Sequence, residues 1–216
     1  MRKTVVFDLD GTLADTSGDL IAAANAVFEA RGEGAKLVPV EDRSTALRGG
    51  MAMLSLGYER GGSEGPEDYQ ALLMHYEANI DRHTFLYPGA LECVEGLRSD
   101  GYGVAICTNK PEGLAETLMS RLGVRDRFHS LIGADTLTVR KPDPAPYIEA
   151  VTRAEGDVAR SLIIGDTETD AKTARAVGVP VVLVGFEPDE DVARHDPDHI
   201  ITHFDQLRGV VRDLIG

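Results

Sequence analysis

The chain is poor in cysteine and in basic charge and has no long apolar run, and each shortage narrows what it does. Its 216 residues include two cysteines, Cys93 and Cys107. So few do not suggest a disulfide scaffold, and Cys107 lies inside the apolar run Val104-Ala105-Ile106-Cys107, where a thiol serves as core filler, so a reducing cytoplasm fits. Lysine and arginine number 22 against 36 aspartates and glutamates, for a formal net charge of −14, which argues against nucleic acid or an anionic membrane as a general partner. An anionic small molecule stays open, because a metal and a few cations reverse the field locally inside a cleft. Arg2-Lys3 precede three apolar residues, too few for a signal peptide or a membrane span. No Gly-x-Gly-x-x-Gly follows a strand-like run, which argues against a nicotinamide-binding enzyme. What remains is a soluble globular composition, 43% hydrophobic and 27% charged, without internal repeats or a low-complexity tail.

The most informative segment is Asp8-Leu9-Asp10-Gly11-Thr12, directly after the apolar run Val5-Val6-Phe7. A buried strand ending in two carboxylates one residue apart carries both to one sheet edge, and Gly11 permits a sharp turn behind them. Like charges so close repel unless a cation, a proton or a substrate joins them. Turn capping is the ordinary alternative. A calcium loop of the EF-hand type fails, since its glycine position falls on Leu13 and its closing glutamate on Asp19.

Short β-branched runs recur at Thr4–Phe7, Val104–Cys107, Leu162–Ile164 and Val181–Val184 and read as strands buried on both faces. Helical patterns lie between them, at Pro111–Leu122, at Pro144–Ala154 after the cap Asp143, and at Thr169–Val177 before Gly178. This alternation predicts an α/β fold, a Rossmann-like parallel sheet with helices on both faces, whose function lies at the carboxyl ends of strands. Residues 17–85 break the alternation. Helices are expected there at Asp19–Ala30, Thr45–Leu56 and Pro66–Ile80, so 17–85 reads as an inserted all-helical cap and 1–16 with 86–216 as a discontinuous core.

Three further strand ends carry polar residues of chemical interest. Thr108-Asn109-Lys110 offers a hydroxyl and backbone amides ahead of a helix, a corner suited to an anion. Lys141 sits in Arg140-Lys141-Pro142-Asp143-Pro144, a stiff loop able to aim an ammonium. Gly165-Asp166-Thr167-Glu168-Thr169-Asp170 repeats the opening logic, with Asp170 one helical turn beyond Asp166. Singly, each has an ordinary structural explanation: a cap, a solvated cation, helix N-terminal acids. Together, in chain order, they resemble the four motifs of the haloacid dehalogenase superfamily. The resemblance spans the chain, includes Tyr87-Pro88-Gly89 and Lys141-Pro142-Asp143-Pro144, and is greatest to the helical-capped, phosphoglycolate phosphatase-like branch.

That resemblance implies a phosphoric monoester hydrolase acting on a small phosphorylated metabolite. Asp8 would be the nucleophile, forming an aspartyl-phosphate, and Asp10 the general acid and base. Mg²⁺ would be held by Asp8, the Asp10 carbonyl and Asp166, with Asp170 in support. Thr108, the Asn109 amide and Lys141 would bind the phosphoryl oxygens. Within the superfamily, a dehalogenase lacks the acid at Asp10. A phosphonate-cleaving relative lacks it too and needs a cap lysine, whereas Lys36 is the one lysine of the insertion. A β-phosphoglucomutase carries a histidine where Leu20 stands and an arginine where Ala52 stands. The mutase, a pyrophosphatase and a catalytically silent binding protein remain as alternatives to the phosphatase. In the cap, Arg48-Gly49-Gly50 is the candidate contact for a substrate carboxylate, ahead of Arg43 and His83. His75 and His83 stand eight residues apart, too far for a helical zinc pair.

Overall fold

The computed structural model describes residues 1–186 and 191–216. β1 (Arg2–Phe7) is followed by the two-residue β2 (Ala14–Asp15), then by α1 (Ser17–Glu29), α2 (Arg43–Ala46), α3 (Gly50–Glu59) and α4 (Asp68–Asn79). Next come β3 (Phe85–Leu86), α5 (Ala90–Ser99), β4 (Gly103–Cys107), α6 (Glu112–Arg121) and β5 (Ser130–Ile132). The chain ends with α7 (Pro144–Arg153), β6 (Gly156–Gly165), α8 (Glu168–Val177), β7 (Val181–Val184), β8 (His199–Ile201) and α9 (Leu207–Ile215). Two compact units result, one of residues 1–13 with 86–216, the other of residues 14–85.

The first unit is built on a six-stranded parallel sheet in the order β5-β4-β1-β6-β7-β8. β1 lies between β4 and β6, so the chain fills one side through β4 and β5 and then crosses to β6, β7 and β8. The loops leaving β1 and its two neighbours therefore diverge at a topological switch point, where a crevice opens at the carboxyl ends of the strands. Phe7 pairs in register with Ile106 on one side and Ile164 on the other. Asp8 is consequently level with Cys107 and Gly165, and Thr108 and Asp166 leave the neighbouring strands one residue further on.

Burial on both faces explains the uninterrupted apolar runs. Val6, Ala105, Cys107 and Ile163 pack with Tyr147, Ala150 and Val151 of α7 and Ala174 of α8. The alternate residues Val5, Phe7, Val104, Ile106, Leu162 and Ile164 are fully buried as well, as a parallel sheet flanked by helices requires. Tyr147 needs a partner for its hydroxyl in such a core and finds one in Ser161, at 2.7 Å.

Most helix boundaries follow the expected signals. Asp143 caps α7 by accepting the amide of Ala145, Pro144 takes the first helical position, and Gly178 ends α8 in the left-handed region. Three expectations need correction. The single helix expected at Thr45–Leu56 is two, α2 and α3, because Gly49 has φ +100°, a conformation no helix continues through. β6 extends back to Gly156, through a half-exposed polar stretch that hides the strand pattern. β5 and β8, three residues each, and the amphipathic helices α5 and α9 are additional. No described helix is long and apolar enough to cross a membrane.

Candidate active site

β1 hands its last ladder bond to the site itself: the amide of Asp8 donates to Ile164 O at 2.8 Å, which fixes the carboxylate at the mouth of the sheet. Asp8 Oδ1 accepts the Leu9 amide at 2.7 Å, and Oδ2 lies 3.0 Å from Lys141 Nζ. Gly11 turns the chain with φ +78°, and a Cβ there would overlap the Asp166 carboxylate, so glycine is required both by conformation and by space. Thr12 Oγ1 donates to Asp166 Oδ1 at 2.8 Å, tying the first loop to the end of β6.

At the start of α8, Asp170 forms a capping box with Thr167. Its Oδ2 accepts the Thr167 amide and hydroxyl at 3.1 and 2.7 Å, while Oδ1 takes Lys141 Nζ at 2.7 Å. Gly165 has no room for a Cβ because Asp170 occupies that place. The peptide Lys141-Pro142 is cis, and Asn109 Nδ2 donates to Lys141 O at 3.1 Å, so the loop after β4 anchors the loop that carries the lysine. The Asn109 side chain is thereby spent on structure. Thr108 sits at the end of β4 with its amide on Ile132 O, and its hydroxyl oxygen accepts the Lys110 amide at 3.2 Å, which turns the hydroxyl proton outward to other acceptors.

Asp8, Asp166 and Asp170 each offer an oxygen within 4.8 Å of the others, the one such acidic group among the described residues. Burial pushes the Asp8 carboxyl up to about 7, and the charges of Asp170 and Asp10 push the same way against the pull of Lys141. Asp166 is raised well above the usual range, by burial and then by Asp170 and Asp8. Burial works against the charge of Lys141, but the Asp170 and Asp8 carboxylates outweigh it and hold the ammonium above its ordinary value. One ammonium thus faces three carboxylates, and burial makes two of them, Asp8 and Asp166, costly to ionise. The surplus negative charge and the all-oxygen donor set fit a hard divalent cation.

The model of the haloacid dehalogenase-like hydrolases matches residues 5–184, from the strand carrying the nucleophile candidate to the end of β7. The chain belongs to this family. It is 37% identical over 215 residues to a phosphoglycolate phosphatase of Mesorhizobium japonicum, covering 95% of this chain and 93% of that protein. A phosphoglycolate phosphatase of Cereibacter sphaeroides is 34% identical over 222 residues, covering 98% and 99%. The crystal structure of a predicted phosphoglycolate phosphatase from Haemophilus somnus superposes with a TM-score of 0.85 over 97% of each chain; at 22% identity it speaks for the fold alone.

For a haloacid dehalogenase-like hydrolase, the expected residues divide into two sets. Asp8, Lys141, Asp166 and Asp170 meet directly, with Thr108 and Asn109 on the adjoining loop. The Asp10 carboxylate stands outside the acidic group and instead meets Lys110 Nζ at 2.9 Å. Lys110, though inside the segment the sequence singled out, carried no expected role there, and neither did Thr12. In the helical unit, Gly50 opens α3 behind Gly49, and Arg48 is exposed. Arg43 donates to Asp15 at 2.9 Å, and Asp15 also accepts the amide and hydroxyl of Ser17, which gives Arg43 a structural task. The His83 amide donates to Asp19, itself bonded to Thr84.

Proposed function

We propose that this hydrolase is a Mg²⁺-dependent phosphatase of small phosphate monoesters that works through an aspartyl-phosphate on Asp8, with 2-phosphoglycolate as its substrate. The observation that carries the reading is the desolvated Asp8 carboxylate at the strand mouth, 3.0 Å from Lys141 and grouped with Asp166 and Asp170. The two relatives named phosphoglycolate phosphatase support the choice of substrate.

In the first step an Asp8 oxygen attacks phosphorus in line, the ester P–O bond breaks, and the leaving oxygen takes a proton from Asp10. In the second, a water oxygen bonds to phosphorus as the Asp8–phosphorus bond breaks and Asp10 takes the water proton, releasing orthophosphate. Thr108, the Asn109 amide and Lys141 hold the non-bridging oxygens, a positioning and electrostatic task that dominates phosphoryl transfer. Asp8, Asp166 and the Asp10 carbonyl would hold Mg²⁺, supported by Asp170. The bound ion supplies neutralisation of the phosphoryl charge. Lys141 already ties Asp8 to Asp170, so the nucleophile keeps one orientation.

Residues 14–85 serve as a cap that admits small esters and excludes phosphorylated proteins and polymers, with Arg48 reading the substrate carboxylate. Water exclusion on closure strengthens the electrostatics at the phosphoryl group. The enzyme works in the cytoplasm, where the buried thiols of Cys93 and Cys107 stay reduced.

The experiment is a panel of phosphate esters with the purified chain, assayed with Mg²⁺ and with excess chelator. Mg²⁺-dependent release of phosphate, fastest from 2-phosphoglycolate, is the expected result. Release without metal contradicts the metal assignment. Turnover of other esters only removes the substrate and leaves the phosphatase, and transfer between sugar positions without net release selects the mutase alternative.

A further inference from the structure

We infer that Lys110 is a positioning residue for Asp10, its ammonium holding Asp10 Oδ1 at 2.9 Å so that the carboxylate keeps one orientation toward the phosphoryl group through both halves of the reaction. The inference deepens the proposed function and rests on its reading of Asp10 as acid and base.

Three observations carry it. The pair is not a surface contact: the side chains are 4% and 16% exposed. Removing two ions from water costs about what their attraction returns, so such a pair is a weak device for stability and a strong one for orientation. Second, Lys110 is strapped in place. Its amide donates to Thr108 Oγ1 at 3.2 Å and its carbonyl accepts the Ala134 amide at 2.9 Å. Pro111 follows at once as the cap of α6, and the Glu112 amide is held by Asp135 at 2.7 Å. The backbone around the lysine is fixed from both sides before any ligand arrives. Third, the two lysines divide the acids between them. Lys141 serves Asp8 and Asp170, whereas Lys110 reaches Asp10 from the loop of β4, the strand paired with β1.

The chemistry gives the arrangement its use. Asp10 must deliver a proton to the leaving oxygen as the ester bond breaks. It must then take one from water at nearly the same point as the Asp8–phosphorus bond breaks. A carboxylate that rotates between the steps presents its oxygens at the wrong place, and a misplacement of this kind is costly. The tether removes that freedom without itself touching the reacting atoms.

The test is a double-mutant cycle in the full chain with Mg²⁺, using Lys110→Met and Lys110→Arg in the native and Asp10→Asn backgrounds. With 2-phosphoglycolate, whose leaving alkoxide needs a proton, Lys110→Met should lower kcat at least about tenfold, but by no more than the roughly 10²–10⁴-fold a positioned acid–base group supplies. KM should change less than about twofold, because substrate binding is untouched. Lys110→Arg should recover most of the rate. In the Asp10→Asn background, Lys110→Met should add no further loss. If Lys110→Met misfolds by circular dichroism, Lys110→Arg and Lys110→Gln carry the same cycle. A loss that adds in full to that of Asp10→Asn, or one seen mainly in KM, overturns the inference and makes Lys110 a direct phosphate ligand. Wild-type turnover by Asp10→Asn would instead overturn the acid–base reading beneath it, which keeps the two failures distinct.

Discussion

Asp170 holds the ammonium of Lys141 at 2.7 Å, and neither side chain is more than 1% exposed. The acid that caps α8 is therefore also the anchor of the cation beside Asp8. Replacing Lys141 with Met strands buried carboxylates on both sides. The fold should lose about 3–5 kcal/mol, the range for breaking one side of a buried ion pair. Turnover should fall by about 10²–10³, as when a preorganised electrostatic donor is deleted. Urea denaturation beside steady-state kinetics separates the two effects. A stability loss with kcat within twofold would reduce Lys141 to a structural residue.

Metal binding at the proposed acid cluster should depend on pH. Without a cation, burial and neighbouring charge raise Asp8 from 3.8 to about 7 and raise Asp166 in the same direction. Between these values the folded chain keeps a proton that the unfolded chain has released. The contribution of Asp8 to stability is then full below pH 3.8 and lost as pH rises through about 7. A cation needs the ionised carboxylates, so its binding releases protons and weakens as pH falls below about 7. Mg²⁺ should raise Tm more at pH 8 than at pH 6, and calorimetry near pH 6 should show heat that varies with the buffer's ionisation enthalpy. Equal Tm shifts at both pH values would remove these carboxylates as ligands.

Gly11 should tolerate no side chain. Alanine would hold φ +78° only under strain and would press into Asp166. Gly11→Ala should lower stability by about 1–3 kcal/mol from the backbone term alone. It should also weaken the Mg²⁺-dependent rise in Tm, since the Asp166 carboxylate must move. An unchanged metal response would show that Asp166 is free to shift without consequence.

Much of this site was legible in the sequence because strand ends are marked twice, by apolar runs and by the acids that close them. Asp8 and Asp166 come together because the parallel register sets Phe7 level with Ile164, and the polar residues that follow each run reflect that register, whereas Lys141 is brought in by the loop that Asn109 anchors. The short strands Ser130–Ile132 and His199–Ile201 carry too little pattern to stand out, and His199 and Ile200 are exposed. The Lys110–Asp10 pair joins side chains a hundred positions apart, and no local period records such a meeting. The break at Gly49 is not marked in the sequence, because a glycine pair can equally begin a helix, as Gly50 does, or sit within one.

Specificity should reside in Arg48 if the cap reads a substrate carboxylate. Arg48→Ala should then raise KM for 2-phosphoglycolate roughly ten- to a hundredfold, the equivalent of a charge-assisted contact worth about 1.5–3 kcal/mol. KM for p-nitrophenyl phosphate, which has no carboxylate, should barely move. Parallel effects on both substrates would make Arg48 a solvated surface residue.

The central claim is that Asp8 carries the phosphoryl group between the two steps, and the Asp10→Asn variant tests it most directly. On the proposed mechanism this change keeps the nucleophile and removes the base that activates water, so a substrate with a good leaving group should phosphorylate the protein faster than the adduct decays. Brief reaction with p-nitrophenyl phosphate and Mg²⁺, acid quench and peptide mass spectrometry should find phosphate on Asp8 of Asp10→Asn, and no adduct in Asp8→Asn. Phosphate on another residue, or steady turnover by Asp8→Asn protein free of wild-type enzyme, would contradict the account.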